Sequence, residues 1–187
     1  MSEVKKKRVP LGSGQFYLKE YDGSGIPQAS ELVAMCVEAN HLGNTKNGAT
    51  ITYTANVHKE QDDHGHLVRV VILDEEVKLR LGVFDWDSNT LTKLVATGRM
   101  EQQGKYNVLK IGGLSKDNGK VYVGVFKQID PKEGDMYFAI VGTNTAGLSL
   151  AFARDNTTKL EPEFTAQPAD DDGTLLVMFE DVPGEGT

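Results

Sequence analysis

Three histidines, His58, His64 and His66, stand close together in the stretch "HKEQDDHGH". Three imidazoles are enough protein ligands for zinc. On an antiparallel hairpin His64 and His66 share a face, and His58 comes near it. The segment between them is polar, however, and supplies no buried groups to orient the rings, so solvated surface histidines are the expectation and no metal is assigned. "DWDSN" (Asp85–Asn89) alternates oxygen-bearing side chains like the start of a calcium loop. The position such a loop reserves for glycine holds Thr90, and the one for its bidentate glutamate holds Ala96. A strand end followed by a helix cap accounts better for these residues. "DDDG" (Asp170–Gly173) is read as a solvated turn in which glycine supplies the unusual backbone angle. Gly12-Ser-Gly14 lacks the third glycine of a dinucleotide loop. No nucleophile elbow is present, and no Cys–His or Ser–His pairing follows from spacing. Trp86 is expected to be a core anchor. No catalytic residue and no cofactor is assigned.

The elements that would carry such residues are mostly strands. In "ATITYTANVH", Ile51, Tyr53, Ala55 and Val57 alternate with Thr50, Thr52, Thr54 and Asn56. In "VKLRLGV", Val77, Leu79, Leu81 and Val83 alternate with Lys78 and Arg80, and "GLSLAFA" repeats the pattern. Period-two alternation is the mark of a half-buried strand. "LVRVVIL", "KVYVGVF" and "DMYFAIV" are richer in apolar residues and are expected to be more central. "KEQDDHGH" reads as a charged hairpin tip, and "KDNG" (Lys116–Gly119) as a second hairpin turn. Leu91, Leu94 and Val95 break the rule at helical spacing. They predict one helix over about 89–97, capped by Asp87 or Ser88 and ended by a left-handed Gly98. The expected fold is mainly β, a β-sandwich or barrel-forming sheets flanked by one α-helix.

The 187 residues suit a single domain, with an extended N-terminal arm (about 1–13) and an acidic C-terminal segment (about 154–187). Nine acidic and two basic residues from Ala151 onward account for the whole net charge of −7. An acidic chain without a basic patch argues against DNA binding by phosphate neutralisation. Lys5, Lys6, Lys7 and Arg8 form a basic cluster with no apolar stretch behind it, which is not the pattern of a secretory signal. No run of roughly 20 apolar residues is present to span a bilayer. Cys36 is the only cysteine, consistent with a reducing compartment, and is expected to be a small buried apolar residue.

Three stretches, taken in order, carry a resemblance: "HLGNTKNGATITY" (His41–Tyr53), "VVILDEEVKLRLGVFDWDSNTLTKL" (Val70–Leu94) and "FARDNTTKLEPEFTAQPADDDGTLLVMFED" (Phe152–Asp181). A glycine-led strand is followed by a strand ending in "DEE", a second strand, a tryptophan before a helix, and a closing acidic turn. In this order the chain resembles the major tail tube proteins of long-tailed bacteriophages. The resemblance implies sixfold rings stacked into a hollow tube that conducts the viral genome from capsid to host. It also implies a virion location, with assembly in the host cytoplasm. The implied partners are further copies of the chain, a tail tape measure protein, a tail terminator and distal tail proteins. DNA passes through the lumen without specific binding, and no cofactor, catalytic residue or membrane is involved.

Under this reading Asp74, Glu75 and Glu76 are candidates for an acidic channel wall, which repels phosphates over a Debye length of about 8 Å at physiological salt. The tip residues Lys59, Glu60, Gln61, Asp62, Asp63 and His64 are candidates for contact with the next ring. Leu160, Glu161, Glu163 and Phe164 are candidates for a strand that pairs with a neighbour, with Leu160 and Phe164 docking it either in the chain's own sandwich or onto that neighbour. Pro162 cannot donate to a ladder, so that strand is expected at an edge or with an irregularity. The alternatives are a carbohydrate-binding β-sandwich of a virion, which needs an aromatic cleft, and a tube subunit of a contractile tail or secretion system. A hydrolase built from scattered His, Asp and Ser residues is the remaining alternative.

Overall fold

The computed structural model describes residues 9, 14–61, 63–64, 67–152, 154 and 158–181, with Asn47, Leu67 and Val68 as backbone only. The basic cluster Lys5–Arg8, Asp62, His66 and the last six residues of the C-terminal segment lie outside the described residues.

The elements in chain order are β1 (Gly14–Glu20), α1 (Ala29–Ala34), β2 (His41–Gln61), β3 (Leu67–Val83), α2 (Ser88–Leu94), β4 (Arg99–Gln103), β5 (Tyr106–Lys110), β6 (Tyr122–Gln128), β7 (Met136–Asn144), β8 (Glu163–Ala166) and β9 (Val177–Glu180). The fold is mainly β, as expected. Strands pair in the order β6-β1-β2-β3-β8-β7, and β7 returns to β6. Every pairing is antiparallel. The sheet therefore closes into a small barrel, which removes its edges. β9 shares the edge of β7 with β8, and β4–β5 form a separate hairpin.

Alternation fills the barrel. Phe16 and Leu18 of β1 point inward with Val77, Leu79, Leu81 and Val83 of β3, and with Phe126, Ile140 and Phe164. α2 adds Leu91 and Leu94 to this cluster. The opposite face of β1, β6 and β7 carries Tyr17, Val123, Val125, Tyr137, Ala139 and Val141, covered by Leu32 of α1 and Met35. Val177 and Phe179 of β9 pack on the same side, and the Tyr137 and Phe179 rings stack at 4.7 Å. β6 and β7 are thus apolar on both faces because one lines the barrel and the other lies under a second layer.

Several local expectations are corrected. A second helix, α1, is present; it spans six residues, too short for a helical period to show. α2 begins at the expected cap, Asp87, but ends at Leu94 with Val95 extended. Gly98 is not left-handed; a Cβ there would make a tight contact, 3.0 Å from the Val95 carbonyl oxygen. "GLSLAFA" is irregular chain, not a strand: Leu148 and Leu150 pack on the core while Phe152 is exposed. "KDNG" contains a left-handed Gly119 but joins a 3-10 turn at Leu114–Lys116 to β6, so it closes no hairpin. The tight hairpin is at Gly104, between β4 and β5. Cys36 is half-buried, and its Sγ donates to the Leu32 carbonyl.

Candidate assembly interface

The two longest strands reach beyond the barrel. β2 pairs with β1 only from His41 to Asn44, and β3 pairs with β8 only at Lys78–Arg80, with a bridge from Val83 to Leu160. β2 and β3 stay paired with each other from Thr45↔Val83 out to Gln61↔Leu67. At about 3.3 Å per residue, the part beyond Thr52↔Lys78 is a ribbon of about 30 Å. Among the described residues nothing pairs with its outer edges.

The ribbon keeps the alternation of the barrel wall. Ile51, Tyr53, Ala55 and Val57 lie on one face with Val77, Ile72 and Val70, while Thr50, Thr52, Thr54, Asn56 and His58 lie on the other. Inside the barrel this first face is buried. Outside it is not: Tyr53 is 56 % exposed, Val70 49 %, Ile72 51 % and Leu73 63 %. Leu73 is the extra residue of a β-bulge, since Asn56 faces Asp74 and Val57 faces Ile72. "LVRVVIL" is therefore not a central strand, and "VVILDEE" does not end before "VKLRLGV". One strand runs through both, because the bulge absorbs the residue that breaks the alternation.

This placement divides the acidic candidates. Asp74 and Glu76 lie on the polar face and Glu75 on the apolar one, all in mid-strand. Glu76 pairs with Lys78 at 2.9 Å, which holds the lysine pKa above its ordinary value. Asp74 accepts the Glu75 N–H at 2.9 Å. The tip residues Lys59, Glu60 and Gln61 end β2, and Asp63 and His64 form the turn at the far end of the ribbon. His58 contacts Glu60 at 3.2 Å. Among the described residues no group of metal-ligating side chains forms.

The candidate pairing strand docks in the chain's own barrel, one of the two places expected for it. Leu160 and Phe164 are each 1 % exposed inside the chain's own barrel, and the Phe164 ring lies 5.4 Å from that of Phe16. Leu160 exchanges two 2.8 Å hydrogen bonds with Val83, and Glu163 sits opposite Arg80. Glu161 holds the Arg80 guanidinium at 2.6 Å. The physical reason is that the free edge of β3 next to β7 needs a strand, and this segment closes it. The proline irregularity is present: the ladder is a lone bridge at Leu160, an acceptor at the Pro162 carbonyl for the Leu81 N–H, then regular pairing from Glu163.

The other chemistry-bearing residues are used structurally. The carboxylate of Asp85 accepts from the Asn44 side chain at 2.6 Å, and Asp87 caps α2. Trp86 packs against the barrel core and donates to the Thr158 carbonyl at 3.3 Å. Asp170 accepts the Thr174 N–H at 2.8 Å in a turn with left-handed Gly173. Burial pushes the Cys36 thiol up, opposite to the shift of an activated nucleophile. The residues that sequence reasoning missed are Tyr53, Val57, Val70, Ile72 and Leu73. Their signal was an alternation in β2 and an apolar run in β3, and both were read as burial within one chain. No protein-family model matches this chain, nor does any curated protein.

Proposed function

We propose that this chain is a structural subunit that works by joining copies of itself. Hexameric rings form side by side and stack into the hollow tail tube of a long-tailed phage, and the tube conducts the viral genome. The observation that carries this reading is the ribbon: two long strands leave a closed barrel with an exposed apolar face and with outer edges that nothing pairs among the described residues. A lone two-stranded hairpin is marginal in water, and its open N–H and C=O groups invite another strand. Pairing the β2 edge of one ribbon with the β3 edge of the next is head-to-tail. Such contacts close into a ring when the rotation fits, and ring closure leaves no edge. Edge pairing leaves both faces of the joined ribbons open, and the threonine-rich face with Asp74 and Glu76 is the polar one suited to line a channel. The ring number, the phage setting and the tape measure, terminator and distal tail partners rest on the resemblance of the sequence stretches.

The test is assembly of the purified protein. At high concentration, negative-stain microscopy should reveal rings or tubes. A protein that sediments as a monomer at every salt and protein concentration is incompatible with the proposal.

A further inference from the structure

The turn from Asp117 to Lys120, ahead of β6, is built from side chains that fold back on their own backbone. Asp117 Oδ1 accepts the Gly119 N–H at 3.0 Å. One residue on, Asn118 Oδ1 accepts the Lys120 N–H at 2.9 Å. The Asn118 N–H donates to the Ala96 carbonyl at 3.0 Å, which anchors the turn to the chain after α2. Gly119 is left-handed at φ 58°, and a Cβ there would meet nothing within 4 Å. The backbone angle, not crowding, selects glycine here. Asp117, Asn118, Gly119 and Lys120 are all exposed, so water reaches them.

These bonds bring together the parts of a ring closure. Attack on an amide needs a nucleophile relieved of its proton and a donor for the oxyanion that develops. The Gly119 nitrogen aims its proton at the Asp117 carboxylate. The Lys120 N–H holds the oxygen of the Asn118 side-chain amide and folds that amide over the peptide that follows it. Residue 119 has no side chain to shield its nitrogen.

We propose that Asn118 is a site of self-modification, in which the Gly119 nitrogen closes on the Asn118 amide to a succinimide that water then opens. As the bond from Gly119 N to Asn118 Cγ forms, the N–H proton passes to Asp117. The Cγ–Nδ2 bond then breaks, and Nδ2 leaves as ammonia with the proton that Asp117 returns. Water adding at Cγ restores the ordinary main chain with an aspartate in place of Asn118. Water adding at the main-chain carbonyl leaves the chain running through Cβ and Cγ, an isoaspartate. Nothing is oxidised or reduced, and water is the co-reactant. Either product adds a negative charge beside Asp117, and the isoaspartate also lengthens the main chain ahead of β6. The reaction does not depend on assembly.

The full chain, aged at neutral pH and physiological temperature, is digested at mildly acidic pH and the peptide holding Asn118 is followed by mass spectrometry. Labelling by an isoaspartyl methyltransferase counts the isoaspartate. The peptide should lose ammonia and then gain water, faster in the folded protein than in the same chain unfolded in guanidinium chloride. Asp117→Asn keeps an oxygen for the Gly119 N–H but has no carboxylate to take the proton. It should slow the folded-state reaction by about tenfold or more, in the range of a lost general base. Matching melting curves establish that the variant folds. The chain's other Asn-Gly pair, Asn47–Gly48, serves as the internal reference, whose rate the variant should leave unchanged. A folded-state rate no faster than the unfolded one, or one that Asp117→Asn does not slow relative to the reference pair, overturns the proposal.

Discussion

Asp87 accepts the Thr90 N–H at 2.8 Å, the Thr90 hydroxyl at 3.1 Å and the Asn89 side chain at 3.2 Å. These bonds, the Thr90 N–H foremost, hold its carboxyl below the usual aspartate range. A helix of seven residues cannot sustain itself by propensity, so its cap and the burial of Leu91 and Leu94 keep α2 in place. Asp87→Ala should lower stability by about 1 kcal/mol, read by urea denaturation at neutral pH. The folded-state pKa is depressed, so the ionic part of the cap is present above the unfolded-state pKa and is lost as pH falls through the folded value. The difference between wild type and Asp87→Asn, whose amide oxygen still caps, should therefore shrink on acidification. The cap was legible because an aspartate before a helical repeat has one common use. Leu160 and Phe164 were legible as residues that dock a strand, but whether in their own chain or on a neighbour was left open. A strand pattern states that one face is buried, not whose barrel buries it.

β7 illustrates how an element is constrained by what lies against it. A Cβ on Gly142 would stand 2.1 Å from the Thr165 carbonyl oxygen of β8. β8 holds only four residues and is the strand that closes the barrel between β3 and β7. Gly142→Ala should push β8 outward and cost about 1–3 kcal/mol, as overpacking does, read as a lower denaturation midpoint. β3 teaches the reverse lesson. Its barrel half, with Val77, Leu79, Leu81 and Val83 buried, was read correctly from alternation. Its outer half was read as more central because it is more apolar, yet it is more exposed. The bulge at Leu73 hid the continuity by breaking the two-residue period at one position. α1 escaped notice for a related reason: one turn and a half of helix shows no repeat, and only the packing of Leu32 under β6 and β7 gives it meaning.

The molecule as a whole has two parts of different standing. The barrel is closed, filled and covered by α1 and β9, whereas the ribbon has edges and an apolar face without cover among the described residues. Local stability should follow that division. By hydrogen exchange, ribbon amides should exchange fast in dilute monomer while those of β1, β6 and β7 stay protected. In assembled protein the ribbon amides should slow by orders of magnitude. Unchanged ribbon exchange on assembly would place the contact elsewhere. The mainly β class, the helix start at Asp87, the glycine turn at Asp170–Gly173 and the hairpin tip beyond Gln61 were set by the sequence alone, because each follows from local backbone preference or a short apolar period. Barrel closure by Glu163–Ala166, the run of β3 through the acidic triplet and the projection of the ribbon were decided only in three dimensions. Each depends on which distant strand takes a free edge, and residues on a single strand carry no record of that choice.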